Sequence, residues 1–145
     1  AAASAKAVAR LGVEDTLATR LAGRARGWVG RPRELNADDS FEPLLARVLA
    51  SLEALRGAST VAEAAAPFYE ERERQEDILS ILETIGRDRM ALQNGVEPEA
   101  LAPEELENVR ADGRKLMLAV LEARRMLAAN VAWQNALDAL YFSLA

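Results

Sequence analysis

The chain of 145 residues contains no cysteine and no histidine. The first absence excludes disulfides, thiol nucleophiles and thiolate metal ligands; the second removes imidazole as a general base and as the commonest zinc ligand. Any remaining metal or acid–base chemistry would have to be built from carboxylates alone, as in a cation site or a glycosidase-type pair. With 23 acidic side chains, such neighbours arise by chance, and no spacing among them enforces a catalytic pair. No cofactor and no metal site is expected. A formal charge of −5 against 18 basic residues excludes a surface that coats nucleic acid throughout, while leaving room for a local basic strip. Lysine occurs only at Lys6 and Lys115, and arginine and alanine, both good helix formers, take its place.

Long apolar runs are also missing. The stretch from Ala1 to Val8 is too short and too weakly apolar for a membrane span, and it lacks the charged start and leucine-type centre of a signal peptide. The chain does not begin with Met, so it reads as part of a longer protein. No contact with a membrane is expected.

What is present is helical spacing along nearly the whole length, with no convincing alternating strand, which predicts an all-α fold. Ser4 to Leu11 and Asp15 to Ala22 read as two short helices divided at Gly12. Gly23, Gly27, Gly30 and Pro32 then mark a hinge and a candidate domain boundary. The clearest stripe follows: Phe41, Leu44, Leu45, Val48, Leu52 and Leu55, with Asp39 and Glu42 as a capping box and Gly57 as a left-handed stop. Thr60 with Glu63 repeats the start signal, so a second helix folds back on the first. Pro67 should interrupt it, and beyond lies a long helix with core positions Ile78, Leu82, Ile85 and Leu92, ended by Asn94 and Gly95. Pro103, Glu104 and Glu105 open a further helix with the stripe Leu106, Val109, Leu116, Val120 and Leu127. After a tight turn at Ala129 and Asn130, Trp133, Leu137, Leu140 and Leu144 recur at steps of four, three and four, with Ala136 and Ala139 permitting close approach.

Two constellations carry candidate function, and two charged clusters read as structural. Arg20, Arg24, Arg26, Arg31 and Arg33, with no acid between Asp15 and Glu34, could hold phosphate or DNA; Arg24, Arg26 and Arg31 are the candidate contacts. The glycines among them lack the lysine and hydroxyl of a phosphate loop, and Trp28 suits the seam between two domains. The run from Glu70 to Asp77 reads as a solvated helical face with pairs such as Glu70 and Arg74, and Asp88, between Arg87 and Arg89, as the partner of an arginine on a neighbouring helix. The last two helices carry more apolar residues than one face needs, among them Met117, Leu121, Met126, Tyr141 and Phe142. Trp133, Leu137, Leu140, Tyr141 and Leu144 are therefore the candidate subunit interface.

Three stretches resemble a known family. Val120 to Leu140, a helix ending in an Ala-Asn turn followed by a Leu-rich helix, is similar to the closing pattern of the delta-prime subunits of the bacterial DNA polymerase III clamp loader. Ile85 to Leu92 resembles the apolar, Arg-Asp, apolar segment of that family's collar, with Gly86 where the family commonly has an aromatic residue. Thr19 to Ala22, Gly27, Gly30 and Arg31 resemble the end of the small lid domain, although Pro32 departs from the family's smooth continuation into a helix. The resemblance implies a C-terminal fragment: residues 1–36 a remnant of an AAA+ lid domain, and 37–145 a helical collar of about five helices. It further implies a cytoplasmic, non-catalytic assembly module whose partners are the gamma/tau and delta subunits, with DNA touched only indirectly. The competing expectation is a small helical DNA-binding regulator using Arg20 to Arg33, whose affinity would fall steeply with salt.

Overall fold

The computed structural model describes residues 38–145, with side chains from Phe41 onward. The lid remnant and hinge, Trp28 and the arginines Arg24, Arg26 and Arg31 lie outside the described residues, as does the side chain of Asp39 in the expected capping box. Among the described residues every regular element is helical, with no strand: α1 (Asp38–Ala54), α2 (Val61–Ala65), α3 (Gln75–Gln93), α4 (Pro103–Leu106), α5 (Gly113–Ala128) and α6 (Trp133–Leu144). Short 3-10 turns at Ala58–Thr60, Ala66–Phe68 and Arg72–Arg74 join the first three.

Packing follows a closed circuit. α1 contacts α3, α3 lies along α5, α5 along α6, α6 against α2, and α2 returns to α1, while the single turn of α4 rests on α3. Five helices around one core need one apolar stripe each, and the stripes are those that periodicity picks out: Leu44, Leu45, Val48, Leu52 and Leu55 are buried, as are Ile78, Leu82 and Ile85. Leu79 and Ile81 join them, because α3 sits between α1 and α5 and buries more than one face.

The turns obey local chemistry. α3 ends with Gly95 in the left-handed region (φ 74°), the Val96 amide returning 2.8 Å to the Ala91 carbonyl and Gly95 itself to Leu92, so the last carbonyls are satisfied. α5 ends in the same way on Asn130 (φ 67°), with Val131 bonded to Met126 at 2.9 Å, and this turn reverses the chain into α6. Pro103 occupies the first turn of α4, and Glu105 accepts from the Ala102 amide at 2.8 Å.

Four local expectations are corrected. Gly57 is nearly fully extended (φ 159°, ψ −176°) and is no left-handed cap. The Thr60 hydroxyl accepts from the amides of Arg56 and Gly57 and donates to the Gly57 carbonyl, closing the turn behind it instead of capping the helix ahead. The run from Glu70 is not one helical face: it begins in a turn, and Glu71 is drawn to Arg47 on α1, whose guanidinium also lies 5.1 Å from the centre of the Phe68 ring. The stripe from Leu106 to Leu127 is broken in two. Asp112 starts α5 afresh by accepting from the Lys115 amide at 3.1 Å, so Leu106 and Val109 reach the core from a separate turn.

The break at Asp112 sets up a close contact between α3 and α5. Gly86 of α3 and Gly113 of α5 face each other, with the Met117 side chain beside Gly86. A β-carbon on Gly113 would lie 2.5 Å from the Gly86 carbonyl oxygen and 2.4 Å from the Met90 nitrogen. Gly86, with no β-carbon, lets α5 approach α3. Arg124 fastens the outside of the same pair, bonding Glu83 at 2.6 Å and Glu76 at 2.8 Å.

Candidate interaction surface on the terminal helices

Four of the five candidate interface residues face inward. Trp133 is 5 % exposed, Leu137 and Tyr141 are fully buried, and Leu140 is 2 % exposed. Leu144 is half-buried and packs on the same core. Of Leu140, Tyr141 and Leu144, some of which were expected in an exposed strip, the first two are buried and Leu144 is half-buried: the stripe at steps of four, three and four is what α6 uses to close its own bundle against α2 and α5. Hydrogen bonds fix it there. The Trp133 indole donates to the Phe68 carbonyl at 2.8 Å. Ser51 gives its one proton to the Val48 carbonyl at 2.7 Å, so the Tyr141 hydroxyl, 2.6 Å away, is the donor to Ser51. Burial pushes the Tyr141 phenol well above its ordinary range, with the Ser51 contact opposing, and keeps it neutral. Tyr69 donates to Asp138 on α6; burial, that bond and the aspartate charge push its pKa up to about 12.

The surface that is left outward lies one step round each helix. Leu118 and Leu121 of α5 are 53 % and 48 % exposed, and Phe142 of α6 is 62 % exposed. α5 therefore carries two apolar stripes. Leu116, Val120, Ala123 and Leu127, at steps of four, three and four, point to the core. Arg114, Leu118, Leu121 and Arg125, at the same steps, run along the opposite side. A helix at the surface of a bundle needs only the first. The second was legible in the same string of residues, since both have the seam spacing of packed helices, but the inward stripe is richer in large aliphatics and draws attention first. Met117 and Met126 are half-buried at the flanks. Arg125 pairs with Glu122 at 3.5 Å, both sides being well exposed, so water screens the pair and its charge stays available.

Asp88 belongs to the fold. It is 1 % exposed, and its carboxylate accepts the backbone amides of Glu99 at 3.2 Å and of Ala100 and Leu101 at 2.8 Å each. The expected arginine partner is replaced by three amide donors, because the chain between α3 and α4 turns over the side of α3 with amides that need an acceptor.

A cleft of about 510 Å³ opens between α3 and the turn into α6, lined by Tyr69, Arg72, Gln75, Leu127, Asn130 and Trp133 among others. The Tyr69 hydroxyl and the Trp133 indole on its wall are engaged within the chain. Among the described residues no group of three or more acids is placed to hold a metal ion, and no helix is long and apolar enough to cross a membrane. Comparison with models of protein families, with curated proteins and with solved structures finds no match to this chain.

Proposed function

We propose that this chain is an assembly module of a replicative clamp loader, a helical collar that docks on gamma/tau and delta subunits through the outer side of α5, with Phe142 of α6 on the neighbouring helix. The observation that carries the reading is the second stripe of α5: Leu118 and Leu121 stand about half exposed on a helix whose core-facing stripe is already complete. Exposed leucines at seam spacing on a rigid helix are what a partner helix packs against. The identity of the complex rests on the resemblance of Val120 to Leu140 and Ile85 to Leu92 to the delta-prime family. In this reading the chain performs no chemistry. Its task is to hold a subunit in the ring that loads the sliding clamp onto primed DNA, in the cytoplasm, while other domains handle ATP.

The test is co-purification of the chain with separately produced gamma/tau and delta subunits, followed by size-exclusion chromatography with light scattering. The variant is Leu118→Asp with Leu121→Asp, since Leu140→Asp would strike the core. The expected result is a complex with the wild-type chain and at least a tenfold weaker one with the variant, whose circular dichroism is unchanged; two half-exposed leucines forfeit about 1.4 kcal/mol or more when burial is lost. A complex that survives the double substitution removes α5 as the docking face, and no complex at high micromolar concentration removes the assembly reading.

A further inference from the structure

The charges at the ends of the outer α5 stripe decide what can cover it. Arg114 and Arg125 flank Leu118 and Leu121 symmetrically. In a two-fold pairing of α5 with itself, Leu118 would meet Leu121 of the second copy and Arg114 would meet Arg125 at both ends. Like charges so placed oppose that dimer. The outer side of α1 has the opposite arrangement. Glu42 and Glu53 flank Ala46 and Ala50, both alanines being exposed. The two glutamates are eleven residues apart, as are the two arginines. At about 1.5 Å of rise per residue, each pair of charges therefore spans roughly 16 Å along its helix. Laid together in either direction, the helices bring each arginine to a glutamate, and the two leucines meet alanines small enough to admit them. α1 and α5 are not neighbours in the helix circuit, since α3 lies between them, so one molecule can present both faces at once.

We propose that the chain self-associates head to tail, the Arg114, Leu118, Leu121 and Arg125 side of α5 in one copy packing on the Glu42, Ala46, Ala50 and Glu53 side of α1 in the next. Such a contact is heterologous: a dimer keeps one face of each kind open, so assembly continues past it until a ring closes or a larger chain forms. It is independent of which complex the protein serves, although it uses the α5 face assigned above to neighbouring subunits.

Sedimentation velocity on the full chain, from low to high micromolar concentration, tests it with two charge-reversed variants. One carries Glu42→Arg and Glu53→Arg; the other carries Arg114→Glu and Arg125→Glu. The wild type is expected to show a mass rising beyond that of a dimer and falling with salt. Each variant alone has like charges on both faces and is expected to stay monomeric, whereas an equal mixture restores both contacts and with them the assembly. A wild type that remains a folded monomer at high micromolar concentration overturns the proposal, as does association that neither variant changes or a mixture that stays monomeric. A monomeric wild type that still co-purifies with clamp-loader subunits overturns self-association alone and leaves the assembly function standing.

Discussion

Gly113→Ala is expected to lower the stability of the chain by about 3 kcal/mol, at the upper end of what overpacking usually costs. The added β-carbon meets the Met90 nitrogen at 2.4 Å, the Gly86 carbonyl oxygen at 2.5 Å and the Met90 α-carbon at 2.8 Å. All three are backbone atoms of α3, so no rotamer change relieves the clash, and the helices must separate along their most extensive contact. The gain in helix propensity from Gly to Ala, about 1 kcal/mol in a helix interior, is smaller at a first-turn position and does not offset this. Gly86→Ala makes an instructive comparison. Its β-carbon would meet the Met117 γ-carbon at 2.9 Å, a flexible group that can swing away, and the Gly113 oxygen at 3.0 Å. A cost of about 1 kcal/mol is expected there. Urea unfolding followed by circular dichroism measures both as shifts in midpoint at constant slope. Equal stabilities for Gly113→Ala and wild type would mean that α3 and α5 do not cross at these glycines.

The second large effect is at Asp88. Asp88→Ala removes one acceptor group and leaves the amides of Glu99, Ala100 and Leu101 without it, in a place where Ala100 and Leu101 are fully buried. A charge-assisted hydrogen bond contributes about 1.5–3 kcal/mol, and orphaned buried donors add their desolvation cost, so a loss of about 4 kcal/mol is expected. Asp88→Asn keeps the shape and one acceptor oxygen but turns an amino group toward at least one donor, and should cost about half as much. Hydrogen exchange gives the more specific readout. Protection of the amides of Ala100 and Leu101 is expected to fall in both variants by more than that of the α6 amides, which lie outside this loop. Uniform loss across the chain would assign Asp88 a general packing role instead of the anchoring of this segment.

How much of this was readable in the sequence differs from element to element, for physical reasons. α1 and α6 were legible because each buries a single stripe at three- and four-residue steps, and the turns at Gly95 and Asn130 were legible because few residue types accept a left-handed backbone. The split at Asp112 was hidden. Leu106, Val109 and Leu116 keep helical spacing across the gap, and only the Asp-Gly pair signals that one helix has ended and another begun. The role of Gly86 was hidden too, since a residue without a side chain adds nothing to an apolar pattern and its meaning depends on the partner glycine on α5 that faces it. Asp88 and Thr60 escaped because their partners are backbone amides, fixed by how the chain turns and not by side-chain pattern. Trp133, Leu137, Leu140 and Tyr141, expected at an interface, lie in the core for a related reason. Periodicity finds the strongest apolar stripe, and in a small bundle that stripe belongs to the core. The exposed leucines Leu118 and Leu121 on α5 form a weaker pattern, which stands out only once the stronger one is known to be buried.

The central claim, that the outer side of α5 is a docking face, is tested most directly by thiol labelling. The chain has no cysteine, so Leu121→Cys introduces a unique reporter at a position 48 % exposed. Its reaction rate with a maleimide is measured at low micromolar concentration, alone and with gamma/tau and delta subunits in excess, beside a Ser59→Cys control on the loop after α1. Labelling at position 121 is expected to be at least tenfold slower in the mixture, with an unchanged rate at 59. Equal rates at position 121 with and without the subunits, under conditions where the complex is seen to form, would contradict it.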